Sequence, residues 1–169
     1  TLLYYRQNPV APGQFLAGTR IAFGFSGTQI AIADLDGDGR RDFAVSGFDM
    51  DSNYRIDENM VTIYQRDQGF AVAPPLSTRG RSVGVRLAVA DLDGDGQPEI
   101  VVGGTQVRIY GRTTAGAFAL MRSLAVPEYA TASCSSVVVA DLDNDAQTDI
   151  AVSMGDILSG RIFVFFAVP

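Results

Sequence analysis

The 169-residue chain contains no histidine and no lysine, and all 13 of its basic residues are arginine. These absences exclude histidine acid–base catalysis, histidine metal ligands and lysine nucleophiles together. A single cysteine, Cys134, has no partner for an internal disulfide, and its place on the approach to an apolar stretch fits a structural thiol. No apolar run approaches the ~18 residues of a membrane span. There is neither an N-terminal methionine nor a signal-peptide pattern, so a processed, truncated or partial chain is expected. The arginines are scattered, whereas a nucleic-acid footprint needs them clustered on one face.

What the chain does have is an acidic nonapeptide, present three times. It runs Asp34-Leu35-Asp36-Gly37-Asp38-Gly39-Arg40-Arg41-Asp42, then Asp91-Leu92-Asp93-Gly94-Asp95-Gly96-Gln97-Pro98-Glu99, then Asp141-Leu142-Asp143-Asn144-Asp145-Ala146-Gln147-Thr148-Asp149. Each copy carries carboxylates at positions 1, 3, 5 and 9. Four carboxylates so close repel one another, and a hard divalent cation such as Ca²⁺, which accepts ~6–8 oxygens in flexible geometry, resolves the repulsion. Glycine at position 6 permits a sharp turn around the ion. By analogy with other Asp-rich loops, the position-7 carbonyls of Arg40, Gln97 and Gln147 would supply a further ligand.

The flanking residues exclude an EF-hand, which needs a bidentate Glu at position 12 and a helix on each side. Position 12 here is Val45, Val102 and Val152. Short apolar runs with strand composition precede each loop, at Ile30–Ala33, Leu87–Ala90 and Val137–Ala140, and similar runs follow. The unit is strand, acidic loop, strand. The loops hold 12 of the 19 acidic residues, so the seven elsewhere are outnumbered by the arginines outside the loops and the net charge of −6 belongs to the loops. Three Ca²⁺ ions would neutralise it.

The loops start 57 and then 50 residues apart, and other features recur in step. Strands ending in an aromatic stand at Leu2–Tyr5, Val61–Tyr64, Val107–Tyr110 and Phe163–Phe166. A Gly-Phe pattern then opens a further strand at Phe15–Ala22, Phe70–Ala73 and Phe118–Val126. Each period thus carries four antiparallel strands, A to D, with the acidic loop between A and B. Four strands per ~50 residues is the period of a β-propeller blade. The small apolar strand A, with Ala31, Ala33, Ala88, Ala90 and Ala140, suits the innermost position.

The pattern D-L-D-G-D-G-x-x-D-[FI]-[AV]-V, preceded in the first copy by Ile-Ala-Phe-Gly-Phe-Ser-Gly (21–27), resembles the FG-GAP/VCBS repeat. That repeat is the blade of the integrin α-subunit propeller and of many bacterial secreted proteins. The resemblance implies an all-β segment of about three four-stranded blades with Asp-rich calcium loops between strands A and B. It makes residues 1–169 a single propeller segment, with repeats around 23–75, 80–126 and 131–169, and 1–22 ending a preceding blade. It assigns Ca²⁺ ligands to Asp34, Asp36, Asp38 and Asp42; to Asp91, Asp93, Asp95 and Glu99; and to Asp141, Asp143, Asp145 and Asp149. In the third loop Asn144 and Ala146 replace the glycines, and an alanine forced to positive φ costs about 1 kcal/mol, so this site is expected to be the weakest. Glu99 is a longer arm than Asp and could bind in another mode.

A second polar cluster, Asp49-Met50-Asp51-Ser52-Asn53-Tyr54-Arg55-Ile56-Asp57, also spaces oxygens at 1, 3, 5 and 9, without the glycine. It falls in the B–C connection, at the end of the blade opposite the acidic loops, the face that carries ligand contacts in the integrin-like family. Asp49, Asp51, Asn53, Tyr54, Arg55 and Asp57 are therefore a possible recognition surface or an extra cation loop, against the plainer reading of a solvated polar loop. The leading functional expectation is a non-catalytic, calcium-binding module for extracellular binding, adhesion or assembly, outside the cell, on its surface or in the periplasm. Its partner would be a protein or a glycan. The alternatives are a propeller or accessory module of a secreted enzyme acting on polysaccharide or phosphoester, a carbohydrate-binding propeller using Tyr54 or Tyr129, and a structural subunit of a larger complex. Strands in the order C-D, A-B-C-D twice and A-B-C begin and stop inside blades. Further blades, from the same polypeptide, another copy or another subunit, are expected to complete the ring.

Overall fold

The computed structural model describes residues 2–22, 25–50, 56–65, 71–72, 76–77, 85–126, 133–155 and 160–167. They form strands and turns, with no helix among them. Strands β1 (Leu2–Tyr4) and β2 (Thr19–Ile21) pair with each other. The first full sheet comprises β3 (Ser26–Ala33), β4 (Asp42–Met50), β5 (Ile56–Gln65) and β6 (Ala71–Val72) in that order, with β7 (Leu76–Ser77) also on β5. The second comprises β8 (Arg86–Ala90), β9 (Glu99–Gly103), β10 (Val107–Arg112) and β11 (Phe118–Leu124). The third comprises β12 (Ser133–Ala140), β13 (Asp149–Gly155) and β14 (Gly160–Phe165). All ladders are antiparallel and follow chain order, which is the A-B-C-D meander of a propeller blade.

The strand pattern read from sequence holds with two corrections in the outer strands. The strand expected over Phe15–Ala22 is shorter, with only Thr19–Ile21 paired to β1 and a lone bridge joining Gln7 to Phe15. The outer strand of the first full sheet is split into β6 and β7, on either side of Pro74 and Pro75, which cannot donate to a ladder. A third correction concerns Asp49 and Asp57. Both lie in the paired β4–β5 hairpin, whose register runs out to Met50 opposite Ile56, and not in a long loop.

Packing is between sheets, face to face. Strand β9 is buried along its whole length, and its side chains alternate between two cores. Ile100 and Val102 join Leu35, Ala44, Val61, Ile63, Val85 and Leu87 between the first and second sheets. Val101 joins Val107, Ile109, Cys134, Val137, Ile150, Val152 and Met154 between the second and third. That is why the strand reads as an unbroken apolar run: both faces are covered, and each side chain removed from water contributes about 1.5–3 kcal/mol. A smaller core of Ile21, Phe43 and Val45, with Leu2, Tyr4 and Phe25, seats β1 and β2 on the first sheet. Strand β8 lies between β3 and β12, so the A strands are the ones brought together.

Side-chain hydrogen bonds fix the A strands to one another. The Gln29 amide donates to the Leu87 carbonyl at 2.9 Å and accepts the Leu87 N–H at 3.1 Å. Arg86 Nε donates to the Ser135 carbonyl at 3.0 Å. At the same level Gly103 gives Cys134 its place: a β-carbon there would run into Cys134 Sγ and Val137 Cγ2. Burial pushes the Cys134 thiol above its ordinary range, which keeps it protonated and unreactive. A Gly103→Ala substitution is expected to cost about 1–3 kcal/mol by overpacking. Urea denaturation should show the loss, and Cys134→Ala in the same chain should restore part of it. An undiminished midpoint in the single variant would contradict this packing.

Candidate metal centres

Each acidic loop joins the A strand to the B strand of its sheet, and each is wound around the carboxylate at position 1. In the first loop Asp34 Oδ1 accepts the N–H groups of Gly37 at 2.8 Å and Asp38 at 3.1 Å, while Oδ2 accepts that of Gly39 at 2.8 Å. In the second, Asp91 accepts from Gly94 at 2.7 Å and Gly96 at 2.9 Å. In the third, Asp141 accepts from Asp145 at 3.2 Å and Ala146 at 3.0 Å. Turning the N–H groups inward requires left-handed backbone at positions 4 and 6. Gly37, Gly39, Gly94 and Gly96 adopt φ of 77°, 82°, 77° and 85°. Asn144 and Ala146 are held at 64° and 67° in the third loop, the strain expected from their sequence.

The carboxylate at position 9 begins strand B and is buried in every copy: Asp42 and Asp149 are each 1% exposed and Glu99 5%. It accepts the N–H of the position-2 leucine, with Asp42 to Leu35 at 3.1 Å, Glu99 to Leu92 at 2.8 Å and Asp149 to Leu142 at 2.8 Å. Asp149 also accepts the Ala167 N–H at 2.8 Å. With position 9 fixed below and position 1 fixed by the loop, three carboxylates converge. Oxygens of Asp34, Asp36 and Asp42 lie within 4.8 Å of one another, as do those of Asp91, Asp93 and Glu99, and those of Asp141, Asp143 and Asp149.

Of the twelve carboxylates singled out by spacing, the nine at positions 1, 3 and 9 are thus gathered. Those at position 5 are not part of these groups. Asp38, Asp95 and Asp145 accept the N–H of Arg40, Gln97 and Gln147, at 2.7, 2.7 and 2.8 Å, and the position-3 aspartates make the same local turn, Asp36 to Asp38, Asp93 to Asp95 and Asp143 to Asp145. Arg40 also lies 3.9 Å from Asp38 in an exposed pair. In the second cluster Asp49 is exposed at the end of β4, while Asp51, Asn53, Tyr54 and Arg55, like Tyr129, lie outside the described residues. Asp57 is placed only by its backbone in β5.

Two neighbours of the first loop had no signal in the motif. Arg112, at the end of β10, donates from its guanidinium to the Asp36 carbonyl and from Nε to the Gly116 carbonyl at 3.3 Å. A cleft of about 230 Å³ separates the first two loops, lined by Asp34, Leu35, Gly37, Asp91, Gly96, Gln97 and Pro98. Arg112 comes from another blade, so no spacing within the loop could have found it.

The donor sets are all carboxylate oxygen, which fits hard cations such as Ca²⁺ and not the metals that choose thiolate or imidazole. Without a cation the clusters work against themselves. Burial, followed by the charges of Asp93, Asp95 and Asp91, raises the Glu99 carboxyl above its ordinary 4.5, although the Leu92 N–H pulls the other way. A raised acid means that the folded state holds this proton more tightly than the unfolded chain. In chelator, the Glu99 contribution should therefore increase stability as the pH falls through the raised pKa toward 4.5. Glu99→Gln should remove that increment, visible as a pH-dependent difference in melting temperature between the two proteins. A difference that is constant with pH would refute it. In the third loop Ala146→Gly should raise stability by about 0.5–1 kcal/mol through relief of the left-handed strain, measured by thermal or urea unfolding.

The FG-GAP repeat family matches residues 83–121, which span the second acidic loop and most of the second sheet. No curated protein matches the chain. The sheets on either side of this stretch repeat its strand order and its acidic loop. Residues 83–121 thus match an FG-GAP repeat, and the sheets on either side share its β-propeller blade build.

Proposed function

We propose that this chain is a calcium-stabilised, non-catalytic propeller module that works outside the cell, in binding, adhesion or assembly. The observation that carries the reading is the threefold convergence of the carboxylates at positions 1, 3 and 9, each held by backbone N–H groups. Three carboxylates this close repel one another, and a bound Ca²⁺ would turn the repulsion into attraction. Asp34, Asp36 and Asp42, Asp91, Asp93 and Glu99, and Asp141, Asp143 and Asp149 would hold the ions. Asp38, Asp95 and Asp145 and the carbonyls of Arg40, Gln97 and Gln147 would complete the shell. Up to three ions would bind, the strained third loop most weakly.

FG-GAP repeats typically occur in extracellular proteins, where millimolar calcium fills sites too weak to be occupied in cytosol. No described helix is long and apolar enough to cross a membrane. The convergent carboxylates would serve as cation ligands, and the sequence offers no histidine or lysine for acid–base or nucleophilic work. Recognition of a protein or glycan would fall to the end of the blades opposite the acidic loops, where the β4–β5 hairpin carries Asp49 and Asp57.

Chelation tests the reading. With site affinities near the extracellular range of ~10⁻⁴–10⁻³ M, millimolar Ca²⁺ should stabilise the fold by roughly 1–2 kcal/mol per site at the tighter end. The melting temperature should rise on adding Ca²⁺ after EGTA. This increment should disappear as acid protonates the ligands. Identical melting curves with EGTA and with Ca²⁺ would sink the calcium reading.

A further inference from the structure

The first and second acidic loops are alike in sequence and in hydrogen bonding, yet not in their surroundings. Both have glycine at positions 4 and 6, both wind around the position-1 carboxylate, and each belongs to a sheet with another sheet packed after it. The position-3 carboxylate separates them: Asp36 is partly buried, whereas Asp93 is exposed. The position-2 leucine follows the same order, with Leu35 fully buried and Leu92 only partly so.

Arg112 is the residue that reaches the first loop from the next sheet. Its guanidinium bridges two carbonyls, that of Asp36 and that of Gly116 in the turn after its own strand. A β-carbon on Gly37 would stand 3.8 Å from Nη1, so the guanidinium lies against the peptide joining positions 3 and 4. That peptide leads into the left-handed turn at Gly37 and sets where the Asp36 carboxylate enters the cluster. The base of the arginine is fixed as well: the Thr113 N–H and hydroxyl both donate to the Ala117 carbonyl, at 2.7 and 2.9 Å. The second loop has no such support. Register sets Tyr110 opposite Ile100 and Phe165 opposite Ile150, the residue after position 9 in each sheet. Two residues further on, the third sheet has Ala167 where the second has Arg112, and alanine offers no donor side chain.

Two effects of Arg112 on a cation in the first loop oppose each other. Its charge repels the ion, but at an open rim that repulsion is screened by water and salt. Its hydrogen bonds hold the Asp36 backbone in place before an ion arrives, so less ordering is left for the binding step. Groups that orient metal ligands in this way typically change metal affinity by about 10–100-fold, which outweighs a screened repulsion. We propose that Arg112 is a positioning residue for the first loop: it preorganises Asp36 for a divalent cation, makes this site tighter than the second, and ties its occupancy to the seating of the second blade on the first. The inference deepens the calcium reading and rests on it.

The test is Ca²⁺ titration by calorimetry on the whole chain in two backgrounds. Asp93→Asn with Asp143→Asn leaves the first loop intact, and Asp36→Asn with Asp143→Asn leaves the second. The first background should bind Ca²⁺ more tightly than the second. Arg112→Gln should weaken binding in the first background by about tenfold and leave the second unchanged. A substitution that merely loosened the fold would move both sites, so the difference between them reports positioning. Unchanged or tighter binding at the first loop, or an equal loss in both backgrounds, would overturn the proposal and leave the calcium reading standing. No binding in either background with Arg112 in place would overturn both. If Arg112→Gln does not fold, Arg112→Lys makes the same comparison, because lysine keeps the charge and cannot bridge both carbonyls. Coupling between sites is reciprocal. Ca²⁺ in the first background should therefore slow hydrogen exchange of the Leu87 amide, which bonds to Gln29 across the two blades, and Arg112→Gln should abolish the slowing. Exchange at Leu87 that is indifferent to Ca²⁺ would overturn the tie between this site and the seating of the blades.

Discussion

The carboxylate at loop position 9 carries two constraints at once. It is buried at the start of strand B, where an unpaired charge would be costly. It is satisfied by the N–H of the position-2 leucine, and the same hydrogen bond aims that leucine at the following blade. Leu35 fills the core between the first and second sheets, and Leu92 packs on the core between the second and third. The acidic cluster and the contact between blades are therefore not separate designs. Charge held at one end of each hairpin sets the position of an apolar anchor at that same end, and both depend on the oxygen that lies beneath the loop.

Much of this was legible from spacing. The period of the acidic loops, the small apolar A strands and the aromatic at the end of each C strand gave the blade, because these depend on local pattern and recur in phase. The gathering of positions 1, 3 and 9 followed from their spacing. Position 5 did not: Asp38, Asp95 and Asp145 accept the N–H two residues on, a bond that the position-3 aspartates make as well while still converging. The spacing counted oxygens and could not say which of them would converge. The same limit applies to Arg112, whose target is the carbonyl of Asp36, 76 residues away and in another blade. The outer strands were the least legible. They meet one neighbour only, so a proline pair in one copy or a loose turn in another shortens them without disturbing the core.

The repeats differ where their neighbours differ. Gly103 occupies the place of Ser46 and Ser153 because Cys134 and Val137 of the third sheet press against it. A serine there would have no room, and Arg86 reaches the next A strand in its stead. Asn144 and Ala146 adopt the same left-handed turns as the glycines they replace. The loop shape is thus imposed by the hydrogen bonds around the position-1 carboxylate strongly enough to hold an alanine in an unfavourable region.

Among the described residues the apolar clusters join neighbouring sheets, and this gives those sheets an order of opening. The second sheet is shared between two apolar clusters, whereas the third belongs to one and the β1–β2 pair to one smaller one. Undocking an end sheet dissolves a single interface and leaves the remainder of the stack intact, as in solenoid repeats, where neighbour terms add along a line. Undocking the second sheet dissolves two. Amide protons of β9 should accordingly report the global unfolding event, while those of β1 and β14 report local detachment of the ends, at lower free energy and without loss of the central blade.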